Sequence, residues 1–414
     1  MSTIAPRMET ESAGAGERYE RRRLTIIAAA TGLLNVHGAV GMRLADVAAK
    51  LGLTTTSVTY YYKRKEDLVV ACFEAGLAFY EGVTREASLA PTPTDRVRRF
   101  FELHVAAVTR VRAGQQAPIP IFSDLLSLKE PQHTRMMDAF LRMQDNVAGL
   151  LVAPETAWIC PVARRARAAL MLEQVFWMAG WQLRYSIDDF PRVRDRMVDI
   201  LLNGLAGPGR TWVPRTLRDG AASASVDQSG QEMFLGVATR LINERGYRGA
   251  SVNQIAAELN LTKGSFYHHH EAKDDLVVSC FKRSFAVMRA VQRRARDLDA
   301  DHWVRLSSAA AALAEHQLSP AGPLLRTSAL SALPPEIRVE MVRRLRRVSD
   351  HFAGVISDGI AEGCIRAVDP FIASQMLAAS LNVASDLPGL SPGVDPSNVA
   401  DLYARPLLMG LLTP

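Results

Sequence analysis

The chain has 414 residues, of which 48% are hydrophobic and 22% are charged, and its formal net charge is +6. This length allows two or three domains, and the apolar content excludes a chain that is disordered throughout. The positive charge is compatible with a polyanionic partner, although a solvated basic surface would give the same balance.

The cysteines are few and far apart, and none has the spacing of a zinc site or of a CxxC motif: Cys72, Cys160, Cys280 and Cys364. We therefore expect free thiols in a reducing compartment, with no metal and no cofactor. The chain also lacks a basic-then-apolar leader and any apolar run of 18 residues. These features predict a soluble cytoplasmic protein that makes no membrane contact.

One stretch of the sequence occurs twice in the chain, in two similar copies. Val47–Phe73 aligns without a gap to Ile255–Phe281, 208 residues further on, and 13 of the 27 positions are identical. Solenoid repeats have periods of roughly 20–50 residues, so a period of this length indicates duplication of a whole domain.

The first copy begins with a polar segment, residues 1–17, that we expect to be a flexible arm. An apolar periodicity from Glu20 predicts a helix that stops near Gly38, and Leu44 to Leu51 predicts a second, short helix. Thr54 can cap a third helix through its hydroxyl group.

The third helix is polar and is followed by basic residues. Thr55 to Tyr60 carry short groups that can donate to and accept from base edges, and Lys63 to Lys65 can neutralise phosphates. Two short helices joined by a tight turn, with this polarity, are typical of a helix-turn-helix unit. The alternative is an ordinary helical bundle with a polar face, which two copies of the same layout disfavour.

The rest of the first half reads as a string of helices interrupted by prolines. Its strongest pattern is a stripe of large side chains between Ala163 and Tyr185, and the side chains of this stripe are compatible with an apolar effector cavity: Met171, Gln174, Trp177, Met178 and Trp181. Packing against neighbouring helices is the competing interpretation of that stripe. Residues 207–229 are rich in Gly, Pro, Ser and Ala and predict a linker.

The second copy opens at Phe234 and repeats the pattern, with Ser251 and Gln254 in capping-box positions. His268, His269 and His270 are adjacent on a helix, so their side chains cannot converge on one metal ion. Further along, Arg289, Arg293, Arg294 and Arg296 are expected to form a solvated helix face.

The order of these elements resembles the TetR (tetracycline-repressor) family of bacterial transcription regulators, whose signature reads roughly L-G-V-S-K-G-T-L-Y-H-Y-F-x-S-K-E-x-L. The second copy fits it from Leu261 to Leu276, whereas the first copy departs at Thr56 and Thr59. The resemblance implies an all-α fold with two tandem units, each a helix-turn-helix domain followed by a helical ligand and dimerisation bundle. The implied boundaries are 1–17 (arm), 18–84 and 85–206 (first unit), 207–229 (linker), and 230–292 and 293–414 (second unit).

The resemblance and the chemistry of the polar helices together define the expected DNA contacts. In the first unit these are Arg43, Thr54, Thr55, Thr56, Ser57, Thr59, Tyr60, Tyr61 and Lys65. In the second unit they are Ser251, Thr262, Lys263, Gly264, Ser265, Tyr267, His268, His269 and Lys273.

We therefore expect a ligand-responsive repressor that binds operator DNA at the nucleoid and is not an enzyme. Family members of this kind are homodimers, so a chain with both units implies an intrachain pseudo-dimer on an imperfect palindrome, with a homodimer of chains as the alternative. Two further hypotheses are a DNA-binding regulator without an effector and a regulator in which the second unit alone contacts DNA.

Overall fold

The computed structural model describes residues 7–181, 184–217, 226–250, 252–258 and 273–414. Within these ranges the chain is helical, and its only strand-like feature is an isolated bridge between Ala206 and Ile365. The all-α fold predicted from the sequence is confirmed. No helix within the same ranges combines the length and the apolar character that crossing a membrane requires.

The described part of the first half contains eight α-helices and three 3₁₀ segments, of which the longest is Phe122–Ser127. The α-helices are α1 (Arg7–Gly41), α2 (Leu44–Lys50), α3 (Thr55–Tyr61), α4 (Lys65–Ala87), α5 (Pro93–Arg112), α6 (Gln132–Gly149), α7 (Pro161–Trp181) and α8 (Phe190–Asn203).

The described part of the second half repeats this order, with a 3₁₀ segment at Thr327–Ala332 and a π-helical turn at Ala400–Ala404. Its α-helices are α9 (Val226–Gly249), α10 (Val252–Glu258), α11 (Lys273–Arg296), α12 (His302–Leu318), α13 (Pro335–Ala361), α14 (Pro370–Val383), α15 (Leu387–Leu390) and α16 (Arg405–Met409).

The first helix differs from the sequence prediction at its start. It begins at Arg7 rather than near Glu20, so most of the expected arm is helical. At its other end the prediction was better, because Gly38 has a φ of 69° and interrupts the helical backbone inside α1. A φ in this region carries a steric penalty for residues with a Cβ, which explains why a glycine occupies the bend.

Each half is built around one long helix, α4 in the first half and α11 in the second. In the first half α4 packs on α1, α5 and α6, and in the second half α11 packs on α9, α12 and α13. The duplication extends to single buried contacts: Cys72 Sγ lies 3.8 Å from Ile27 O, and Cys280 Sγ lies 3.8 Å from Leu235 O. All four cysteines are free, as expected.

The closing helices of the two halves pack against each other. Helix α7 contacts α14, α15 and the π-helical turn, while α8 contacts α14 and α16. Buried polar groups tie this interface together: Gln174 Nε2 donates to Ser380 Oγ at 2.8 Å, and Arg167 Nε donates to Leu411 O at 2.8 Å. Buried polar groups with fixed partners favour one register of the packed helices over its alternatives.

The backbones come closest where the closing helices end. Leu205 N donates to Leu408 O at 2.7 Å, and Leu411 N donates to Leu201 O at 2.7 Å, so each half supplies a donor and an acceptor. A Cβ at Gly204 would lie 2.4 Å from Leu408 O, and a Cβ at Gly410 would lie 2.5 Å from Leu202 O. Glycine is therefore required at both places.

The first part of the predicted linker is anchored to the second half. Gly207 N donates to Cys364 O at 3.0 Å, Trp212 Nε1 donates to Asp401 at 2.7 Å and Arg215 N donates to Ser308 Oγ at 2.8 Å. Composition predicted a linker here, and these bonds hold residues 207–215 of it against the bundle. Residues 218–225 lie outside the described ranges.

Replacing Gly204 by alanine should destabilise the chain through this close approach. Gly204 and Gly209 both have positive φ (66° and 73°), but a Cβ at Gly209 would meet nothing within 4 Å. Both variants carry the backbone penalty, so we expect Gly204→Ala to lose about 1–3 kcal/mol more than Gly209→Ala. Urea denaturation of the two variants measures this difference, and equal losses would show that the close approach is not limiting.

Candidate nucleic-acid interface

The scaffold of the first helix-turn-helix unit holds α3 by its cap and by one buried side chain. Thr54 Oγ1 accepts from Ser57 N at 3.3 Å and lies 2.9 Å from Ser57 Oγ, so the predicted cap is confirmed. Val58 is fully buried and anchors the helix in the hydrophobic core. This anchoring turns the remaining face of α3 outward.

The outward face of α3 carries the polar groups expected to meet DNA. Thr54, Thr55 and Thr56 are exposed, and Tyr60 is 73% exposed. Thr59 is half-buried, and its hydroxyl donates to Thr56 O at 3.0 Å. Thr59 is therefore occupied within its own helix, and Tyr60 is the most accessible large side chain of the face.

A cluster of three tyrosines supports this face, and one of its members was missed in the sequence. The rings of Tyr19 and Tyr61 have centroids 4.8 Å apart, and those of Tyr60 and Tyr61 have centroids 5.2 Å apart. Tyr19 belongs to α1, so its neighbourhood depends on a tertiary contact that the spacing of residues does not encode. The cluster orients Tyr60 at the edge of α3.

Basic residues lie on both sides of α3, and two of them, Arg43 and Arg64, occupy the N-cap positions of α2 and α4. Arg43 precedes α2 and donates twice to Asp46 at 2.8 Å, which lowers the pKa of that carboxyl group. Arg64 precedes α4 and donates to Asp67 at 3.0 Å, with the same effect on the pKa of Asp67. Both arginine side chains remain more than half exposed, so each can also approach a phosphate.

The second unit is described up to α10 and again from Lys273, the first residue of α11. The other residues predicted to contact DNA in this unit lie outside the described ranges: Ser251, Thr262, Lys263, Gly264, Ser265, Tyr267, His268 and His269. By the 208-residue register, Ser251 is the counterpart of Arg43 and His268 is the counterpart of Tyr60.

One asparagine in each half joins the DNA-binding unit to its bundle. Asn35 Nδ2 donates to Ile119 O at 2.8 Å, and Ile121 N donates to Asn35 Oδ1 at 3.0 Å. Asn243 makes the same pair, donating to Leu324 O at 2.9 Å and accepting from Arg326 N at 3.0 Å. In each half the side-chain amide thus forms hydrogen bonds with one carbonyl group and one N–H group of the loop before the 3₁₀ segment.

The 3₁₀ segments then cross between the halves. Phe122–Ser127 lies against α9, and Thr327–Ala332 lies against α1. Each segment follows a loop pinned to its own first helix by Asn35 or Asn243, while the segment itself touches the first helix of the other half. The first helices of the two halves, α1 and α9, are therefore linked by hydrogen bonds within each half and by packing contacts between the halves.

The side chains predicted to line an effector cavity lie at the contact between the halves. Met171, Gln174 and Met178 are buried, and Gln174 bonds to Ser380. The Trp181 ring lies edge-on to Phe371, with centroids 6.2 Å apart, while Trp177 is half-buried. These contacts agree with the packing interpretation of the stripe.

Cavities occur elsewhere, in the second half. A cleft of about 720 Å³ separates α9 from the end of α12 and the loop that follows. Asn243 and Arg326, which are joined by a hydrogen bond from Arg326 N to Asn243 Oδ1, form part of the wall of this cleft. A smaller cavity of about 300 Å³ lies between α11, α12 and α13.

Comparison with known proteins identifies the two helix-turn-helix units. Residues 26–72 and 234–280 each match the family model of bacterial regulatory proteins of the tetR family. The HTH-type transcriptional repressor DhaR of Mycobacterium sp. (strain GP1) is 30% identical over 146 residues, which cover 34% of this chain and 73% of DhaR. The chain belongs to the tetR family of bacterial regulatory proteins. The resemblance drawn from the signature residues, with two units in tandem, is thereby confirmed.

Other similar proteins cover about half of this tetR-family chain or less. The transposon Tn10 TetC protein of Escherichia coli is 32% identical over 85 residues, which are 19% of this chain and 43% of TetC. Among solved structures, PfmR of Thermus thermophilus matches with a TM-score of 0.38 and 24% identity over 43% of this chain and 98% of PfmR. AibR, solved with isovaleryl coenzyme A and operator DNA, matches with a TM-score of 0.38 and 23% identity over 44% of this chain and 99% of AibR.

Removing the buried asparagine of the second unit should lower the free energy of unfolding more than removing a half-buried asparagine with the same bonding pattern. Asn243 is 7% exposed, and Asn243→Ala would leave one carbonyl and one amide without partners, a loss of about 1–3 kcal/mol. Asn398 makes the same two-bond pattern, to Gly393 O and Asp395 N at 2.9 Å each, but in an exposed loop where water can substitute. In urea denaturation we expect Asn398→Ala to lower the free energy of unfolding clearly less than Asn243→Ala does. Equal decreases would contradict a structural role for the hydrogen bonds of Asn243.

Proposed function

We propose that this chain is a sequence-specific transcriptional repressor in which both operator-reading units belong to one polypeptide. The observation that carries the proposal is the exposed polar face of α3, held by the Thr54 cap and the buried Val58. A helix presented in this way fits the major groove, where hydroxyl groups can pair with base edges.

Within the first unit we assign the base-reading role mainly to Thr55, Thr56 and Tyr60, which are exposed. Arg43, Lys63 and Arg64 lie at the ends of the neighbouring helices and are assigned to phosphates. Thr54, Ser57, Thr59, Tyr61 and Lys65 are less accessible or engaged locally, so they position the reading face. In the second unit the corresponding assignments rest on sequence register alone.

The intrachain pseudo-dimer is the arrangement we propose for DNA binding. It is supported by the packing of α7 and α8 on α14 and α16, and by the paired backbone bonds near Gly204 and Gly410. The 3₁₀ segments that touch the opposite first helices would keep the two reading units at a defined separation. Tyr60 corresponds to His268 in the 208-residue register. Because the two units carry different side chains at this position, the two half-sites of the operator should differ, which makes it an imperfect palindrome.

We also propose that an effector regulates DNA binding, and we place its site in the cleft beside α9. The α7 stripe is occupied by packing, whereas this cleft is open and bordered by Asn243. A molecule bound there would favour a different position of α9 relative to the bundle and so a spacing that no longer fits DNA.

Truncating Tyr60 tests the reading face. We expect Tyr60→Ala to weaken operator binding roughly tenfold, since one base contact contributes about 1–3 kcal/mol. Leu89→Ala is the control, because Leu89 is 81% exposed in the loop between α4 and α5, away from α3. His268→Ala reports on the second unit. Electrophoretic mobility shifts on a selected operator measure all three; if Tyr60→Ala binds as wild type while His268→Ala does not, the second unit alone reads DNA.

Stoichiometry tests the pseudo-dimer. The purified chain should bind its operator as a single 45.4 kDa copy, because the closing helices are already paired within it. Light scattering on the complex with a short operator duplex measures the mass. Two chains per duplex at every protein concentration would instead support the homodimer.

A further inference from the structure

A groove on the second half is surrounded by arginines from two helices. Its volume is about 210 Å³, and its walls are Arg289 of α11 and Arg344 and Arg347 of α13. The buried ring of Phe285 completes the lining. Among the residues that the structure describes, no carboxylate lines this groove, so three positively charged side chains border one small volume and repel one another.

The nearby carboxylate of Glu340 neutralises only part of the charge of these arginines. Glu340 accepts from Arg344 at 2.9 Å and from Arg343 at 2.8 Å, so one acid is shared by two arginines. Arg289 Nε donates only weakly, to Phe285 O at 3.3 Å within its own helix. Net positive charge therefore remains at the groove, and Arg289 is exposed, as expected for the solvated arginine face of this helix.

The first half provides an internal comparison. The 208-residue register of α4 and α11 pairs Phe285 with Leu77 and Arg289 with Glu81. The 3₁₀ segments at Phe122–Ser127 and Thr327–Ala332 set a 205-residue register for the next helices, which pairs buried Met136 with buried Met341. In this register Arg344 corresponds to Ala139 and Arg347 to Arg142, so only the second half has the arginine triad.

We propose that this groove binds a small, multiply charged anion with phosphate oxygens. Guanidinium groups donate to phosphate in a planar, two-pronged geometry, and three of them can surround one anionic group. Operator DNA is a poor candidate for this position, because Arg289 lies 16 residues beyond Lys273, roughly 24 Å along α11 at about 1.5 Å per residue. The anion would bridge α11 and α13 and so fix α11, which follows the residues predicted to contact DNA in the second unit.

Calorimetric titration with inorganic pyrophosphate, without DNA and at constant ionic strength, tests the proposal. We expect saturable binding to the full chain, a loss of at least about tenfold in affinity for Arg347→Ala, and no change for Arg142→Ala, its first-half counterpart. Arg347 is exposed, so its truncation should leave the fold intact, which circular dichroism would verify. Arg289→Glu, which restores the first-half residue, should abolish binding.

The outcomes separate this proposal from its competitors. No binding by the wild-type chain, or equal losses for Arg347→Ala and Arg142→Ala, would overturn it. If a short duplex without operator sequence displaces pyrophosphate and itself requires Arg347, the groove binds nucleic acid and the small-anion proposal is wrong. Tyr60→Ala should leave pyrophosphate binding unchanged, so failure of the proposed operator reading and failure of this site can be told apart.

Discussion

The close backbone approach at Gly204 and Gly410 is the constraint on which the arrangement of the two halves depends. Hydrogen bonds from Leu205 N to Leu408 O and from Leu411 N to Leu201 O require that neither glycine carry a side chain. Once those helix ends are joined, α7, α8, α14 and α16 have few alternative registers. The 3₁₀ segments Phe122–Ser127 and Thr327–Ala332 add a second set of contacts between the halves, and Asn35 and Asn243 tie the loops before them to the first helices.

Local features of the fold could be predicted from the sequence because they depend on residues close together in the chain. The Thr54 cap, the bend at Gly38 and the helix expected between Ala163 and Tyr185, observed as Pro161–Trp181, are of this kind, since hydroxyl caps, glycine and apolar periodicity act over a few residues. The 208-residue repeat added the domain duplication, because the second copy supplied its own comparison.

Features that depend on distant contacts could not be predicted in the same way. The Asn35 pair spans 84 and 86 residues, and nothing in the neighbourhood of Asn35 distinguishes it from a solvated amide. For the stripe of large side chains in α7, the sequence could not decide between an effector cavity and helix packing. An apolar helix face has the same pattern whether it contacts a ligand, a core or a partner helix. Tyr19 was missed for a related reason, because its role depends on its contacts with the rings of Tyr60 and Tyr61 in α3, which are distant in sequence.

Fusion of two units also changes what substitutions can do. In a symmetric homodimer every substitution occurs twice, whereas here each half can change alone. Gly32 and Lys50 of the first half correspond to Arg240 and Glu258 of the second, which form an ion pair there. Because the partner half is covalently attached, its effective concentration does not fall on dilution, and a weakened interface on one side can persist. Asymmetric features, such as an arginine groove on one half, are therefore tolerated in this chain in a way that a homodimer of identical subunits does not allow.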